Sequence, residues 1–212
     1  MYDWYGCLIQ SLPTWVGAYK AVLQEVGIIK SQIDIMSCLG NWEAAAILGH
    51  PDPEKANQKI VSYVHNHIKD AELYPSVCEV IDALKNQVGL KLFIVTATKR
   101  HLAEATRAFQ QLAQYIDFAV FAEDVTNHKP HPEAINLILE KFGIHNEEVL
   151  VVGDSANDVL AAKNAGIDSA WFAPTSNETF HQYDKIASLQ PTHRIKDHMD
   201  LLASYKKTAQ AS

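Results

Sequence analysis

From Leu90 onward, short and nearly continuous apolar runs alternate with helix-length amphipathic stretches, and that alternation narrows the possible folds more than any other feature of the chain. The runs lie in "LKLFIVTAT", "FAVFAED", "EVLVVGD" and "DSAWFAP". Strands apolar at almost every position are what a parallel sheet covered on both faces requires. Between the runs, "HPEAINLILEKFG" puts Pro132 in a first helical turn, where its absent N–H is not needed, and Gly143 at a left-handed stop. "SANDVLAAKNAG" puts Ser155 where it caps a start and Gly166 where it ends the helix. Strand, helix, strand repeated in this way predicts an α/β doubly wound, Rossmann-like sheet with right-handed crossovers. Ligands then bind at the carboxyl ends of the strands.

Residues 12 to 72 carry no such runs. "PTWVGAYKAVLQEVG", "NWEAAAILGH" and "PEKANQKIVSYVHNHIKDAE" have apolar residues at helical spacing, broken by Gly27, Gly40 and the turn "GHPDP". The pattern predicts an all-helical insertion over 12–72 in a core made of 1–11 and 73–212, placed to act as a lid over the sheet's active edge. "LYPSVCEVIDALKNQ" starts the return to the sheet, with Pro75 expected at the helix start.

A chain of 212 residues, 48% hydrophobic, can bury one good core with a smaller satellite domain. Its net charge of -7 argues against nucleic acid and anionic membrane as partners, since both call for a basic face. Cys7, Cys38 and Cys78 show neither metal-ligand spacing nor a disulfide framework, which points to a reducing, cytoplasmic setting. No apolar run approaches the roughly 20 residues of a membrane span, and the N-terminus lacks signal-peptide regions, so a soluble protein is expected. There is no internal repeat of useful length and no low-complexity tract. The final "ASYKKTAQAS" reads as a helix fraying into a tail.

Four stretches fall at expected strand ends: "YDWYGC" with Asp3, "FIVTAT" with Thr96, "NHKPHPE" with Lys129, and "VVGDSANDV" with Asp154 and Asp158. Carboxylates, a lysine and a hydroxyl meeting at one edge are equipment for attacking a phosphate monoester beside a divalent cation. A carboxylate such as Asp3 can attack phosphorus and form an acyl phosphate, splitting one hard displacement into two easier ones. Oxygen ligands from Asp3 and Asp154 suit Mg²⁺, which relieves the repulsion between the acids. Lys129 would screen the nucleophile from the incoming anion, and Thr96 would donate to a phosphate oxygen. Thr98 is a neighbouring candidate for that donor role.

Taken together, "DWYGCLIQS", "FIVTAT", "HKPHPE" and "GDSANDVLAAKNAG" resemble the four motifs of the haloacid dehalogenase superfamily, most closely its phosphoglycolate phosphatase-like branch with a small helical cap. The resemblance spans nearly the whole chain, and its last motif is the most specific. It implies a Mg²⁺-dependent phosphatase of small phosphorylated metabolites; a monomer or homodimer is expected, with nothing in the sequence choosing between them. It also implies Asp3 as nucleophile, Thr96, Ala97 and Lys129 as phosphate ligands, Asp154 as metal ligand, and Asp158 as a metal ligand or the support of one. The backbone carbonyl of Tyr5 would complete the metal site.

Tyr5 itself departs from the pattern, because phosphatases of that branch carry a second aspartate there. That aspartate protonates the leaving alkoxide and later activates water, help that contributes about 10²- to 10⁴-fold. With a reference pKa near 10, tyrosine is a weak acid and almost never a base at neutral pH. The 2-haloacid dehalogenases do carry a tyrosine at this place, but they rely on a cap arginine, and the first arginine here is Arg100. Three readings follow: a phosphatase impaired at Tyr5, a dehalogenase-like hydrolase, or a protein that binds a phosphate ligand without turnover. Gln10 and Cys7 also stand where the branch usually has aspartate and threonine. Met1 and Tyr2 alone precede Asp3, a short start expected to weaken the central strand.

Other candidates have simpler readings. His65 and His67, two apart on a helix, point about 200° from each other, which disfavours a shared metal and suggests exposed positions. His128 and His131 flank Lys129 and are expected near the rim of the site. Trp15, Tyr19 and Trp42 could line the underside of the helical insertion, although aromatics at helical spacing usually belong to a core.

Overall fold

The computed structural model describes residues 1–39, 41 and 43–203, so the expectations for Gly40, Trp42 and the tail from 204 onward lie outside the described residues. The four apolar runs form β1 (Phe93–Val95), β2 (Phe118–Val120), β3 (Leu150–Gly153) and β4 (Asp168–Phe172), followed by β5 (His193–Ile195). All pair in parallel: β1 with β2, β3 with β4, and β4 with β5. β5 carried no apolar signal because it is an edge strand in which Ile195 alone is buried.

The two groups of strands are joined by a single residue. Tyr2 bridges in parallel to Ile94 on one side and to Val152 on the other, giving the order β2, β1, Tyr2, β3, β4, β5. Its N–H donates to Phe93 O at 2.8 Å, and its carbonyl accepts from Val95 at 2.9 Å. On the opposite edge, Asp3 N–H donates to Val152 O at 2.8 Å, and Val152 N–H donates to Met1 O at 2.8 Å. Met1, Tyr2 and Asp3 are thereby hydrogen-bonded to the strands on both sides at the centre of the sheet.

In chain order the helices are α1 (Leu12–Gln24), α2 (Gln32–Met36), α3 (Ala44–Ile47), α4 (Pro53–His67) and α5 (Val77–Asp82), which runs into a π-helical turn at Ala83–Gln87. Then follow α6 (Arg100–Glu104), α7 (Arg107–Leu112), α8 (Glu133–Phe142), α9 (Ala156–Ala165) and α10 (Tyr183–Ser188). The expected caps are present: Ser155 Oγ accepts from Asp158 N–H, while Gly143 and Gly166 end their helices at φ 61 and 69. Pro132 occupies the N-cap of α8, one residue before the first turn. Pro75 stands two residues before α5, because Ser76 between them takes a left-handed φ of 65.

Alternation along the strands sends neighbouring side chains to opposite cores. Ile94 and Val152 join Trp4 and Phe172 in a cluster with Val16, Leu23, Ile60 and Val64 of α1 and α4. Phe93, Val95 and Val151 face the other way, onto Ile135 and Ile138 of α8 and Ala161 and Ala162 of α9. Each fully buried side chain of this size contributes about 1.5–3 kcal/mol, so helices on both faces fix the plane of the sheet. α1 packs along α4, and no strand lies between Leu12 and His67 among the described residues. His65 is half-buried with its ring 6.2 Å from that of His101, which corrects the expectation of an exposed position. No helix among the described residues is long and apolar enough to cross a membrane.

Candidate active site

Asp3 follows Tyr2, Thr96 follows β1, Asp154 follows β3, and Lys129 lies on the loop between β2 and α8, so the carboxyl edge of the sheet gathers them. All seven residues singled out from the sequence, Asp3, Tyr5, Thr96, Ala97, Lys129, Asp154 and Asp158, line one cavity of about 170 Å³. Thr98 lines it as well, and its N–H donates to Thr96 Oγ1 at 3.2 Å. His128 and His131 do not line it.

The floor of the cavity is a knot of buried charge. Carboxylate oxygens of Asp3, Asp154 and Asp158 lie within 4.8 Å of one another. Lys129 Nζ donates to Asp3 Oδ1 at 2.6 Å, to Asp158 Oδ1 at 2.5 Å and to the Val95 carbonyl at 3.1 Å. Burial pushes the Asp3 carboxyl up to about 8, opposed by Lys129 and reinforced by Asp158 and Asp154. Asp154 is also raised, by burial first, against the lowering pull of His181. Burial works against the Lys129 charge, yet Asp158 and Asp3 together hold its ammonium above the ordinary value. Three acids facing one ammonium leave negative charge that a divalent cation would neutralise, and hard oxygen donors at this spacing fit Mg²⁺.

One of these acids owes its position to local sequence, and two glycines make room for the group. Asp158 serves the site and caps α9 at once: its Oδ2 accepts from Ser155 N–H at 3.0 Å and from Ser155 Oγ at 2.6 Å, leaving Oδ1 for Lys129. One carboxylate thus both caps the helix and reaches the cavity floor. Gly153 is required because a Cβ there would stand 2.3 Å from Asp158 Cγ. Gly6, at φ 81, lets the loop after Asp3 pass Asp154, whose Oδ2 would lie 2.2 Å from an added Cβ.

Four supporting residues gave no signal in the sequence. His181 Nε2 lies 2.8 Å from Asp154 Oδ2 and lines the cavity. Trp171 Nε1 donates to the Asp154 carbonyl at 3.1 Å. Asn177 Nδ2 donates to the Gly6 carbonyl at 2.9 Å, and Asn177 Oδ1 accepts from Tyr74 OH at 2.6 Å. His198 Nε2 donates to the Cys7 carbonyl at 3.0 Å. His181 and Asn177 come from "PTSNETFHQYD", a stretch without periodicity. Its position just past the end of β4 was the available hint.

Tyr5 reaches the cavity as a side chain with a buried hydroxyl that has no hydrogen-bond partner. Burial first, and the charge of Asp3 second, push its pKa up, so the phenol stays protonated. Its ring meets that of Trp15 edge to face at 5.6 Å. Trp15 and Tyr19 both line the cavity, the placement that helical spacing alone left undecided.

Known proteins resemble this chain along most of its length. A family model described as haloacid dehalogenase-like hydrolase matches residues 1–172. The pyrophosphatase PpaX of Bacillus velezensis is 33% identical over 208 residues, covering 95% of this chain and 93% of that protein. Its namesake from Halalkalibacterium halodurans is 33% identical over 177 residues, 77% of this chain and 79% of the relative. Among solved structures, a predicted phosphoglycolate phosphatase from Haemophilus somnus superposes with a TM-score of 0.80 at 23% identity, covering 96% of each chain. At 26% identity, a hydrolase of subfamily IA from Geobacter sulfurreducens gives 0.67, over 95% of this chain and 93% of that one.

Proposed function

The chain belongs to the haloacid dehalogenase-like hydrolases, and from that premise we propose that it is a phosphatase of small phosphorylated metabolites acting through an aspartyl phosphate on Asp3. The observation that carries this reading is the buried floor, in which Lys129 Nζ sits 2.6 Å from Asp3 while Asp154 and Asp158 crowd the same point. An ammonium between a nucleophilic carboxylate and an incoming dianion lowers the repulsion that otherwise blocks attack. PpaX relatives, named pyrophosphatases, also act on phosphorus–oxygen bonds by name.

In the proposed cycle the phosphoryl oxygens face Lys129 and the hydroxyls of Thr96 and Thr98. An Asp3 oxygen attacks phosphorus, and the bond to the leaving oxygen breaks with its electron pair. Water then attacks the same phosphorus, and the Asp3–phosphorus bond breaks to free phosphate and restore the carboxylate. Asp3, Asp154 and Asp158, with the Tyr5 carbonyl, would hold Mg²⁺, which supplies positive charge to the phosphoryl group when bound. The helical segment 12–72 serves as a cap on the core of 1–11 and 73–212, excluding water during the first step.

The protonated Tyr5 can donate a hydrogen bond but is a poor acid and no base, so turnover is slow. A dehalogenase reading is disfavoured: no arginine lines the cavity among the described residues, and Arg100 pairs with Asp124 and Glu104.

Phosphate release from aryl and metabolite phosphates, with and without Mg²⁺, tests the proposal. The wild type is expected to be active with metal, Asp3→Asn to lose all detectable turnover, and Tyr5→Asp to gain at least about tenfold. Unchanged activity in Asp3→Asn, or halide release from a 2-haloacid without metal, would overturn it.

A further inference from the structure

Above the charged floor the cavity is apolar. Leu12, Trp15 and Tyr19 recur at intervals of three and four along α1, which puts them on one face, and all three line the cavity. Met36, the last residue of α2, and Leu39 after it complete this roof, with Asn41 as the polar side chain that the segment adds. Among the described residues, the basic side chains lining the cavity are Lys129 and His181. Both are already engaged, Lys129 by Asp3 and Asp158, His181 by Asp154. Lys99 lines a smaller adjoining cavity that shares Trp15 and Tyr19, and it stands exposed there.

A substrate carrying a second anion, whether a carboxylate or another phosphoryl group, would bring that charge against largely aromatic and aliphatic faces, where among the described residues no cationic side chain lining this cavity is left unengaged. Burial of an unpaired charge is among the costliest events in a protein interior. An aromatic ring entering the same space gains apolar contact and edge-to-face packing. Resting on the phosphatase reading above, we propose that the preferred substrate is a phosphate monoester of an aromatic alcohol. Its phosphoryl group lies on Lys129 and Thr96, and its ring lies against Trp15, Tyr19 and Met36.

The bond chemistry runs the same way. When the Asp3 oxygen bonds to phosphorus, the phosphorus–oxygen bond to the ring breaks and its electron pair stays on that oxygen as a phenolate. A phenol ionises near pH 10, far more readily than an alkyl alcohol, so it can leave before it takes a proton from water. Asp3, Asp154 and Asp158 are the carboxyl groups lining the cavity among the described residues, and all are committed to the floor. That leaves the Tyr5 phenol to face the leaving oxygen with a single hydrogen bond.

Calorimetric titration in Mg²⁺ tests this without depending on turnover. The ligands are inorganic phosphate, phosphonoacetate, methylenediphosphonate and 1-naphthylmethylphosphonate. The naphthyl ligand is expected to bind about tenfold tighter than phosphate, and the two ligands with a second anion no tighter than phosphate. Trp15→Ala should erase the naphthyl advantage while phosphate affinity, which also reports a folded site, stays unchanged; Trp15→Phe should keep it. Leu39→Lys should transfer the advantage to the doubly anionic ligands. Tighter binding of those ligands to the wild type, or a naphthyl advantage that survives Trp15→Ala, overturns the aromatic assignment and leaves the phosphatase reading standing. Failure of inorganic phosphate itself to bind overturns the phosphatase reading.

Discussion

Two loops deliver acids to the cavity, residues 3–11 after Tyr2 and residues 154–158 after β3, and they are held there by different means. The Ser155–Asp158 part of the second loop is nearly self-sufficient, while Asp154 at its start is held by His181 and Trp171, 27 and 17 positions away. Ser155 and Asp158 cap α9 reciprocally, and Gly153 clears the space between them, all within six residues. The first loop borrows its shape from residues far along the chain: Asn177 holds the Gly6 carbonyl, 171 positions away, and His198 holds the Cys7 carbonyl, 191 away. Within itself it has the Gly6 N–H to Ser11 Oγ bond at 3.1 Å and the Gly6 N–H to Ile9 carbonyl bond at 3.0 Å. A nucleophile positioned by remote contacts depends on the whole fold being assembled, whereas the helix-capping acid is set by a single turn and braced by Lys129.

Acid should separate the two loops most strongly. Burial lowers the His198 pKa to about 4, opposed by its bond to Cys7 and by Asp197. Its value in the unfolded chain is near 6.5, so below that pH the unfolded state binds a proton that the folded state refuses. Stability is therefore intact above 6.5 and falls as the pH drops toward 4, by on the order of 3 kcal/mol from this residue. Urea unfolding across that range should show a steeper decline in the wild type than in His198→Gln. Parallel curves would mean that His198 is not what ties the first loop to pH.

A smaller effect is expected at neutral pH from Asn177→Ala. It leaves the Gly6 carbonyl and the Tyr74 hydroxyl buried without partners, at a cost of about 2 kcal/mol. Denaturant midpoints measure that loss, and phosphate release should fall with it because Asp3 shares the loop. Smallest of the three is Ser155→Ala, which removes a helix cap at about 1 kcal/mol while Lys129 keeps its hold on Asp158. Should Ser155→Ala prove more damaging than Asn177→Ala, the contrast between a remote and a local scaffold fails.

The same contrast explains what could be read without coordinates. Ser155, Asp158 and Gly166 form a pattern of adjacent residues whose physics is local, so capping, helix and strand end were all legible in "GDSANDVLAAKNAG". The α/β alternation was legible for a similar reason, since burial on both faces writes itself into each strand separately. The support under Asp3 was not, because Asn177 and His198 acquire their meaning only when β4 and β5 lie beside the first loop. Tyr2 makes the same point: its isolated bridges to Ile94 and Val152 join the two groups of strands through contacts that no local pattern reveals. Pro75 was misjudged because the left-handed Ser76 delays the helix, a backbone choice that a serine seldom makes.

The neighbours Tyr5 and Gly6 place unequal limits on how this protein can change over generations. A methyl group on Gly6 would run into the Asp154 carboxylate, so that position is closed to nearly every mutation. The Tyr5 hydroxyl holds no partner, and exchanging it severs no bond. Drift toward new chemistry has an open door at residue 5, beside a wall at residue 6.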